Sequence, residues 1–494
     1  MAEVVAGFYA VETLVEGAAA GALAVSGSTV PLHAKFQKIK SPSRACAVHN
    51  ATANLVKNKV YLIGGESSGQ DNEHAVHALS FPPDFGLSRT NGSQPVEIDY
   101  ELQKPELTIA GRPLQHNVED LERKASGTSN QSHALIWART KHSAISIDDR
   151  IYVLGGVSST TLDSRRSNTE ALISLDKTLA YDTLKSSYSV LQAEPAKSTE
   201  GIPEPRYGAS CTSSIYPPSA SAVEGEGPTL EAHGTIFLHG GWGNSGLPFH
   251  DTWTFDLGTK AWHKFPSIVL EAVKDQSSPG QIVYVEGRLW YINGSTAMFL
   301  ELAEHDPATN ENMSQDPANL STGRVGSGQW QVVYPPPSED PAAISQKAEN
   351  NEVDEKIPST TSNVVPTEPT HQIIPITTGA GRNYLLTLSS KNPQSMYLFQ
   401  IPSSSKTATS IKDAVRDRAS SAISSLPDTW KSGKHEWSRV EVVQANKEGE
   451  IERPSEDLQD FAAAAWSEYG DKFVLWGGQV GGQPQDEGWI IDLN

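Results

Sequence analysis

The chain has 494 residues and a formal net charge of -20, with 37% hydrophobic residues, 39 glycines, 31 prolines and 11 tryptophans. This acidity excludes a broad surface for nucleic acid or anionic membranes, which would need clustered lysine and arginine. Abundant glycine, proline and aromatic residues favour a turn-rich all-β fold. The two cysteines, Cys46 and Cys211, are too few to crosslink a secreted protein of this length. We therefore expect a reducing compartment, the cytoplasm or the nucleus.

The N-terminal segment is apolar and alanine-rich. Four of its residues recur at helical spacing: Val4, Phe8, Val11 and Val15. Acidic residues within the segment and the lack of a basic region argue against a secretory signal or a membrane span. We predict a short amphipathic helix and lead-in over residues 1–30, either lying against the domain or serving as a partner-binding tail.

A strand-like run that ends in two glycines occurs four times along the chain. The runs are VYLIGG at 60–65, IYVLGG at 151–156, IFLHGG at 236–241 and FVLWGG at 473–478. Bulky β-branched and aromatic residues predict a buried strand, and two glycines allow a sharp turn where neighbouring units crowd together. Their recurrence indicates a repeat architecture. The glycines predicted to be structural are Gly64, Gly65, Gly155, Gly156, Gly240, Gly241, Gly477 and Gly478.

The segment after the third glycine pair shows the repeat most fully. Trp253, Phe255 and Asp256 follow the pair, and Trp262 comes six residues after Asp256. Asp256 provides turn chemistry for a hairpin, and Trp262 begins an outer strand that packs between units. This order resembles the kelch repeat of the galactose oxidase/kelch superfamily, which includes fungal proteins. The resemblance covers most of the chain and implies a β-propeller of four-stranded blades.

Two weaker copies raise the number of units to six. RLWYING at 288–294 has asparagine in place of the first glycine, and RNYLLTL at 382–388 lacks the pair. The outer strands are marked by an aromatic residue three positions before an apolar one, at Tyr188, Trp262, Trp330 and Trp437. The outer strand of the first unit shows no clear copy and is expected between Pro95 and Ile109.

The last unit reaches only its third strand before the sequence stops at Asn494. Phe36 and Ile39 carry the outer-strand spacing just ahead of the first unit. We therefore predict one six-bladed propeller over residues 31–494, in which a strand at 32–39 completes the last blade and leaves no open edge.

Two long insertions interrupt the repeats. Residues 335–372 are acidic and proline-rich, which predicts a disordered connection between the fourth and fifth blades. Residues 403–430 have apolar residues at helical spacing, which predicts a helical insertion within the fifth blade.

Loops that follow the glycine pairs should gather at one end of the propeller axis and form a binding surface. Candidate ligand- or partner-binding residues in these loops are Glu66, His74, Arg165, Trp242, His250 and Gln479. The alternative is that they are ordinary solvated residues, because exposed polar side chains need no function.

Three arginines, Arg44, Arg139 and Arg206, stand at the predicted starts of inner strands. Similar arginines bind acidic peptides in kelch substrate adaptors, so the resemblance implies a site for a carboxylate or a phosphate. Alternatively, these arginines bridge neighbouring blades through backbone carbonyls or acidic side chains.

The chain has no P-loop, GxSxG, HExxH or paired CxxC motif, so we expect no cofactor and no metal and assign no catalytic residue. The leading hypothesis is a scaffold that binds a protein partner, with an acidic segment as candidate ligand, through the blade loops and the channel mouth. We expect neither nucleic acid nor membrane as a partner, and a monomer by default. The alternative is a cofactor-independent isomerase, cyclase or lyase that binds a small molecule on the axis, since the fold alone decides little about function.

Overall fold

The computed structural model describes residues 32–40, 47–67, 75–82, 95–109, 112–113, 139–158, 172–195, 201–215, 233–302, 329–334, 366, 370–378, 382–389, 391–401, 435–443, 452–466 and 470–493. Within these ranges the regular structure is β-strand, apart from one 3-10 turn at Leu270–Ala272. The predicted helices at 1–30 and 403–430 lie outside the described residues. No helix in the described part of the chain is long and apolar enough to cross a membrane.

Six sheets of four or more strands form the blades of a β-propeller. Named from the inner strand outward, blade 1 contains Thr52–Val56, Lys59–Ile63, Val76–Ser80 and Asp99–Gln103, and blade 2 contains Ser143–Ile147, Arg150–Leu154, Lys177–Asp182 and Ser187–Gln192. Blade 3 contains Ser210–Ser214, Thr235–His239, Thr252–Asp256 and Ala261–Lys264, and blade 4 contains Gln281–Val285, Arg288–Asn293, Thr296–Glu301 and Gln331–Tyr334. Blade 5 contains Thr370–Thr377, Asn383–Ser389, Met396–Ile401 and Trp437–Arg439, and blade 6 contains Ala462–Ala465, Lys472–Trp476, Gly488–Leu493 and His33–Ile39.

The blades form a closed ring around one axis. Each inner strand contacts the inner strands of the blades before and after it, and blade 6 contacts blade 1. Six apolar clusters fill the six interfaces between neighbouring blades, which we call seams. Side chains alternate between the two faces of a strand, so Val60 and Leu62 face blade 6 while Tyr61 and Ile63 face blade 2. A strand buried on both faces must be apolar throughout, which explains the uninterrupted hydrophobic runs before the glycine pairs.

The N-terminal strand closes the ring, as predicted. His33–Ile39 pairs antiparallel with Gly488–Leu493, and Phe36 lies opposite Ile491 in the seam between blades 5 and 6. The first and last parts of the described chain therefore share one sheet, and the blade that the C-terminal strands leave incomplete becomes four-stranded.

Short parallel strands also join the outer edges of neighbouring blades, which the sequence analysis did not predict. Glu106–Ile109 leaves blade 1, pairs in parallel with Ser187–Gln192 of blade 2, and turns back through Arg112–Pro113. Glu441–Val442 leaves blade 5 and pairs in parallel with His33–Ile39. Both edge strands are too short, at four and two residues, for a hydrophobic pattern to be recognised in the sequence.

The boundary predicted for the disordered insertion needs one correction. The inner strand of blade 5 begins at Thr370, so residues 370–372 belong to the propeller rather than to the insertion. Nε2 of His371 donates to the carbonyl of Phe461 and Nε2 of Gln372 to that of Ala463, so these polar side chains link blades 5 and 6.

Deletion of residues 1–43 should prevent the ring from closing. The deletion removes Phe36 from its seam and leaves the edge of Gly488–Leu493 unpaired, and we expect insoluble or protease-sensitive protein. Soluble yield, melting temperature and elution volume measure the effect.

Deletion of residues 1–31 is the matched control, because it leaves the closing strand in place and should give folded protein. A 1–43 deletion with an unchanged melting temperature and elution volume would contradict the closing role of the strand.

Candidate functional site

The chain segments before the inner strands and after the second strands meet on one side of the ring. Because inner and second strands are antiparallel, each inner strand starts on the face where the second strand ends in its glycine pair. We call this side the top face. Short ladders join the two segments, as in His49 with Glu66, Thr140 with Val157 and Tyr207 with Trp242.

The glycine pairs allow very close approach between neighbouring blades. All eight pair glycines have a positive φ, between 58° and 96°. A Cβ on the first glycine would meet the next blade: at Gly64 it would lie 2.5 Å from the carbonyl oxygen of Arg139, and at Gly477 it would lie 2.3 Å from that of Val48. A Cβ on the second glycine would meet its own blade, as at Gly65 and the carbonyl oxygen of His49, 2.7 Å away. Both the backbone conformation and the spacing therefore exclude a larger residue.

Two glycine-to-alanine substitutions should separate the cost of the left-handed backbone conformation from the cost of the steric contact at the seam. Gly477→Ala places a methyl group against Val48 at the seam between blades 6 and 1. Gly481 has a similar φ of 57°, but a Cβ added there would meet no described residue within 4 Å. We expect Gly481→Ala to cost about 1–2 kcal/mol, the penalty of the left-handed conformation, and Gly477→Ala to cost clearly more. Urea unfolding of both variants measures the difference, and equal losses would contradict a close-packed seam.

Residues at one equivalent position in blades 6, 1, 2 and 3 form an arc around the mouth of the axis. The amide of Asn50 donates to the carbonyl of Asp460, that of Lys141 to Asn50, and that of Gly208 to Lys141, at 3.1, 3.2 and 2.7 Å. All four residues are in the left-handed conformation. We call Asp460, Asn50, Lys141 and Gly208 the top-face arc. Left-handed backbone at residues other than glycine is costly and concentrates at functional sites.

The arc also defines which positions are equivalent before the inner strands. The residue two positions before the arc residue is Val48 in blade 1, Arg139 in blade 2, Arg206 in blade 3 and Leu458 in blade 6. Val48 therefore occupies the blade 1 position that corresponds to Arg139 and Arg206. Arg44, which lies four residues earlier, is outside the described residues, as are His74 and Arg165.

Arg139 and Arg206 are buried beneath the top face. Each guanidinium donates to the carbonyl of the first glycine in its own blade: Nη1 of Arg139 to Gly155 at 3.3 Å, and Nη1 of Arg206 to Gly240 at 2.9 Å. Burial lowers the pKa of Arg139 to about 10. The two arginines thus hold equivalent turns and do not reach the surface of the top face.

Arg206 also anchors the base of a loop in blade 3. Its Nη1 and Nη2 donate to the two carboxylate oxygens of Asp251 at 2.6 and 3.1 Å, and the guanidinium lies 4.2 Å from the ring centroid of Phe249. The indole of Trp253 donates to the same carboxylate at 2.6 Å. Burial would raise the pKa of Asp251, but the hydrogen bonds and charge of Arg206 outweigh it and hold the pKa below its usual value.

The blade 3 hairpin, residues 242–249, projects from this base. Trp242 forms an antiparallel β-bridge with Pro248. The amide of Phe249 donates to the carbonyl of Gly241 at 2.8 Å, and the amide of Gly246 donates to that of Gly243 at 3.1 Å. These backbone bonds hold the hairpin in one conformation. Leu247 lies at its tip with 69% of its surface exposed.

An aromatic pair connects the hairpin to the top-face arc. Tyr207 and Trp242 stack with ring centroids 5.9 Å apart, and the ammonium of Lys141 lies 5.7 Å from the Tyr207 ring. A Cβ on Gly208 would lie 2.8 Å from the Trp242 ring, which explains why blade 3 has glycine where the arc elsewhere has a side chain. Lys141, Tyr207 and Trp242 are partly exposed, and Leu247 precedes Pro248, which pairs with Trp242. We call Lys141, Tyr207, Trp242 and Leu247 the blade 3 patch.

The other predicted loop residues take different positions. The carboxylate of Glu66 contacts Nε2 of His49 at 3.4 Å, Gln479 donates to Asp460 of the arc, and His250 is partly exposed beside Asp251. Asp256 accepts the amide of Thr259 at 2.7 Å and closes the turn before the outer strand. Trp262 is fully buried and donates to the carbonyl of Leu175 in blade 2 at 3.1 Å.

Sequence reasoning missed Asn50, Lys141, Asp460, Tyr207 and Leu247. Their equivalence depends on the hydrogen-bond register between blades, which the irregular spacing of the repeats conceals. The GNSGLP turn around Leu247 carried the one available signal, a large apolar residue within a turn of small polar residues.

Among the described residues, no three His, Cys, Asp or Glu side chains are grouped as metal ligands. No protein-family model matches the chain, and no curated protein matches it.

Removal of the Asp251 charge should strongly destabilise the protein. Asp251→Asn leaves the buried guanidinium of Arg206 without its anionic partner, and breaking a buried pair costs about 3–5 kcal/mol. Chemical denaturation gives the change in unfolding free energy.

Glu301→Gln is the control for Asp251→Asn, because it removes the partner of Arg288 at the surface, where the ion pair is worth about 1 kcal/mol or less. A loss at Asp251 no larger than at Glu301 would refute the anchoring role of the Arg206–Asp251 pair.

Proposed function

We propose that this protein is a kelch-type scaffold that binds a protein partner through the top face of blades 2 and 3. The observation that carries the proposal is the exposed Leu247 on a hydrogen-bonded hairpin, beside the stacked Tyr207 and Trp242. Tryptophan and tyrosine dominate the energetic centres of protein interfaces. A single exposed apolar residue is ordinary at a protein surface, and what favours a binding site here is that Leu247 lies on the same hairpin as Trp242, which stacks on Tyr207.

Rigidity supports the same conclusion. The Arg206–Asp251 pair and the backbone bonds at Gly241 and Gly243 fix the hairpin before any partner arrives. A loop ordered in advance loses little conformational entropy on association, so more of the contact energy appears as affinity. The proposed site therefore needs no folding step.

Charge indicates the composition of the partner segment. The protein carries a net charge of -20, yet residues 242–249 contain no acidic residue and Lys141 places an ammonium beside the aromatic pair. An acidic residue next to an apolar one would bind this patch and be repelled elsewhere on the surface. We propose a partner segment in which an apolar side chain contacts Leu247 and Trp242 and a carboxylate lies near Lys141.

Leu247→Asp should abolish partner binding without affecting stability. The substituted side chain is solvent-exposed, so the melting temperature should stay unchanged while the apolar contact is replaced by a repelling charge. The measurement is quantitative mass spectrometry of proteins that co-purify with the tagged full-length chain from its own cells.

Leu184→Asp is the matched control, since Leu184 is 65% exposed in the turn between the third and outer strands of blade 2, on the opposite face. A partner retained by Leu184→Asp and lost with Leu247→Asp supports the site. If the two variants keep or lose the same proteins, the proposed site is wrong.

Lys141→Asn should lower affinity and reduce its dependence on salt, because asparagine tolerates the left-handed backbone but carries no charge. Lys260→Asn is the control: Lys260 has a φ of 57°, close to the 52° of Lys141, and lies in a turn on the opposite face. Equal affinities and salt slopes for the two variants would contradict a role for Lys141.

A further inference from the structure

Histidines form hydrogen bonds across three alternate seams of the ring. Between blades 1 and 2, Nε2 of His142 lies 2.9 Å from the Thr52 hydroxyl. Between blades 3 and 4, Nε2 of His239 lies 2.8 Å from the Pro279 carbonyl, and between blades 5 and 6, Nε2 of His371 lies 3.2 Å from that of Phe461. A carbonyl only accepts, so His239 and His371 donate from Nε2.

His142 is tightly enclosed. A Cβ on Gly64 of blade 1 would lie 2.6 Å from its Cε1, and a Cβ on Gly156 would lie 2.8 Å from its Cβ. Thr52, its partner in blade 1, also accepts a hydrogen bond from Asn54 at 3.4 Å. Burial lowers the pKa of His142 to about 3, and the guanidinium of Arg139 contributes to the shift.

His142 differs from the other two seam histidines because no carboxylate among the described residues raises its pKa. Burial also lowers the pKa of His239, to about 4, and that of His371. The charge of Asp251 raises the pKa of His239, against Arg206 and His250, and the charge of Asp460 raises that of His371. The charged group that acts on His142 is Arg139, which has the same sign as a protonated imidazole. A proton at His142 is therefore opposed by burial and by the neighbouring positive charge, with no described carboxylate acting in its favour.

The seam that contains His142 also carries two backbone bonds of the top face. The amide of Gly65 donates to the carbonyl of Arg139 at 3.0 Å, and the amide of Lys141 donates to that of Asn50 at 3.2 Å. Lys141 directly precedes His142 in the chain. Any separation of blades 1 and 2 that admits water to the imidazole would also break the top-face arc between Asn50 and Lys141.

We propose that acid opens the seam between blades 1 and 2 through protonation of His142, and that this opening disrupts the top-face arc. Release of a partner at low pH would follow, and that consequence alone rests on the proposed function. Opening needs no ligand, because protonation alone shifts the seam from a closed state with neutral imidazole to an open state with imidazolium.

The direction and size of the effect follow from proton linkage. In an open, hydrated seam the imidazole has its ordinary pKa of about 6.5, and in the closed seam its pKa is about 3. The open state therefore binds more protons as the pH falls below 6.5, and the closed seam loses stability. At pH 5 the opening equilibrium should favour the open state about 30-fold more than at pH 7.5.

Amide hydrogen exchange of the full chain without partner tests the proposal. Protection factors, corrected for intrinsic exchange, are compared at pH 7.5 and pH 5 for Gly65 and Lys141 in this seam and for Gly478, which donates to Val48 across the seam between blades 6 and 1. We expect protection at Gly65 and Lys141 to fall about 30-fold more than at Gly478. An equal fall at all three amides would overturn the proposal.

His142→Gln should remove the pH dependence at Gly65 and Lys141, because glutamine can bond Thr52 but does not titrate in this range. His49→Gln, in the adjacent ladder of blade 1, is the matched control and should leave the pH dependence of protection at Gly65 and Lys141 unchanged. If His142→Gln does not fold, an NMR titration of the wild-type His142 imidazole decides: protonation of the ring over the same pH range in which Gly65 and Lys141 lose protection supports the proposal, and protonation with both amides still protected refutes it.

Discussion

The close approach of neighbouring blades at the glycine pairs is the constraint on which the rest of the structure depends. The first glycine of each pair lies against a backbone carbonyl or side chain of the next blade, with no space for a Cβ. Amides at Gly65, Gly156 and Gly478 then donate to carbonyls of the following blade. This contact sets the approach of neighbouring inner strands at the four seams that have a glycine pair, and apolar clusters fill all six seams.

Closure and the top-face arc both involve these close contacts. Gly477 lies against Val48, so the seam between blades 6 and 1 has the same close approach as the other seams with a glycine pair, although its strands come from opposite ends of the sequence. Beside these contacts, Asp460, Asn50 and Lys141 adopt a left-handed conformation and are linked in turn by backbone hydrogen bonds around the axis. Polar groups that are distant in sequence thereby become neighbours on one surface.

Buried charge and buried imidazole serve the ring in different ways. Arg206 is neutralised by Asp251, and the pair supports the hairpin that carries Leu247. His142 stays neutral because burial and Arg139 both oppose its proton. A paired charge stabilises at neutral pH, whereas a neutral imidazole is a point at which acid can act. The pair that supports the exposed patch therefore lies in blade 3, and the imidazole on which acid is proposed to act lies in the neighbouring blade 2.

The amino-acid sequence by itself determined the architecture, because a buried strand and a glycine turn are local patterns. Four glycine pairs predicted the blades, and the spacing of Phe36 and Ile39 predicted the closing strand. The tertiary structure alone decided which residues are equivalent: Val48, rather than Arg44, stands with Arg139 and Arg206. Insertions of different length between blades conceal the register in the sequence, and only hydrogen bonds across the seams define it. The candidate site depends on that register, so its residues can be recognised only in the tertiary structure.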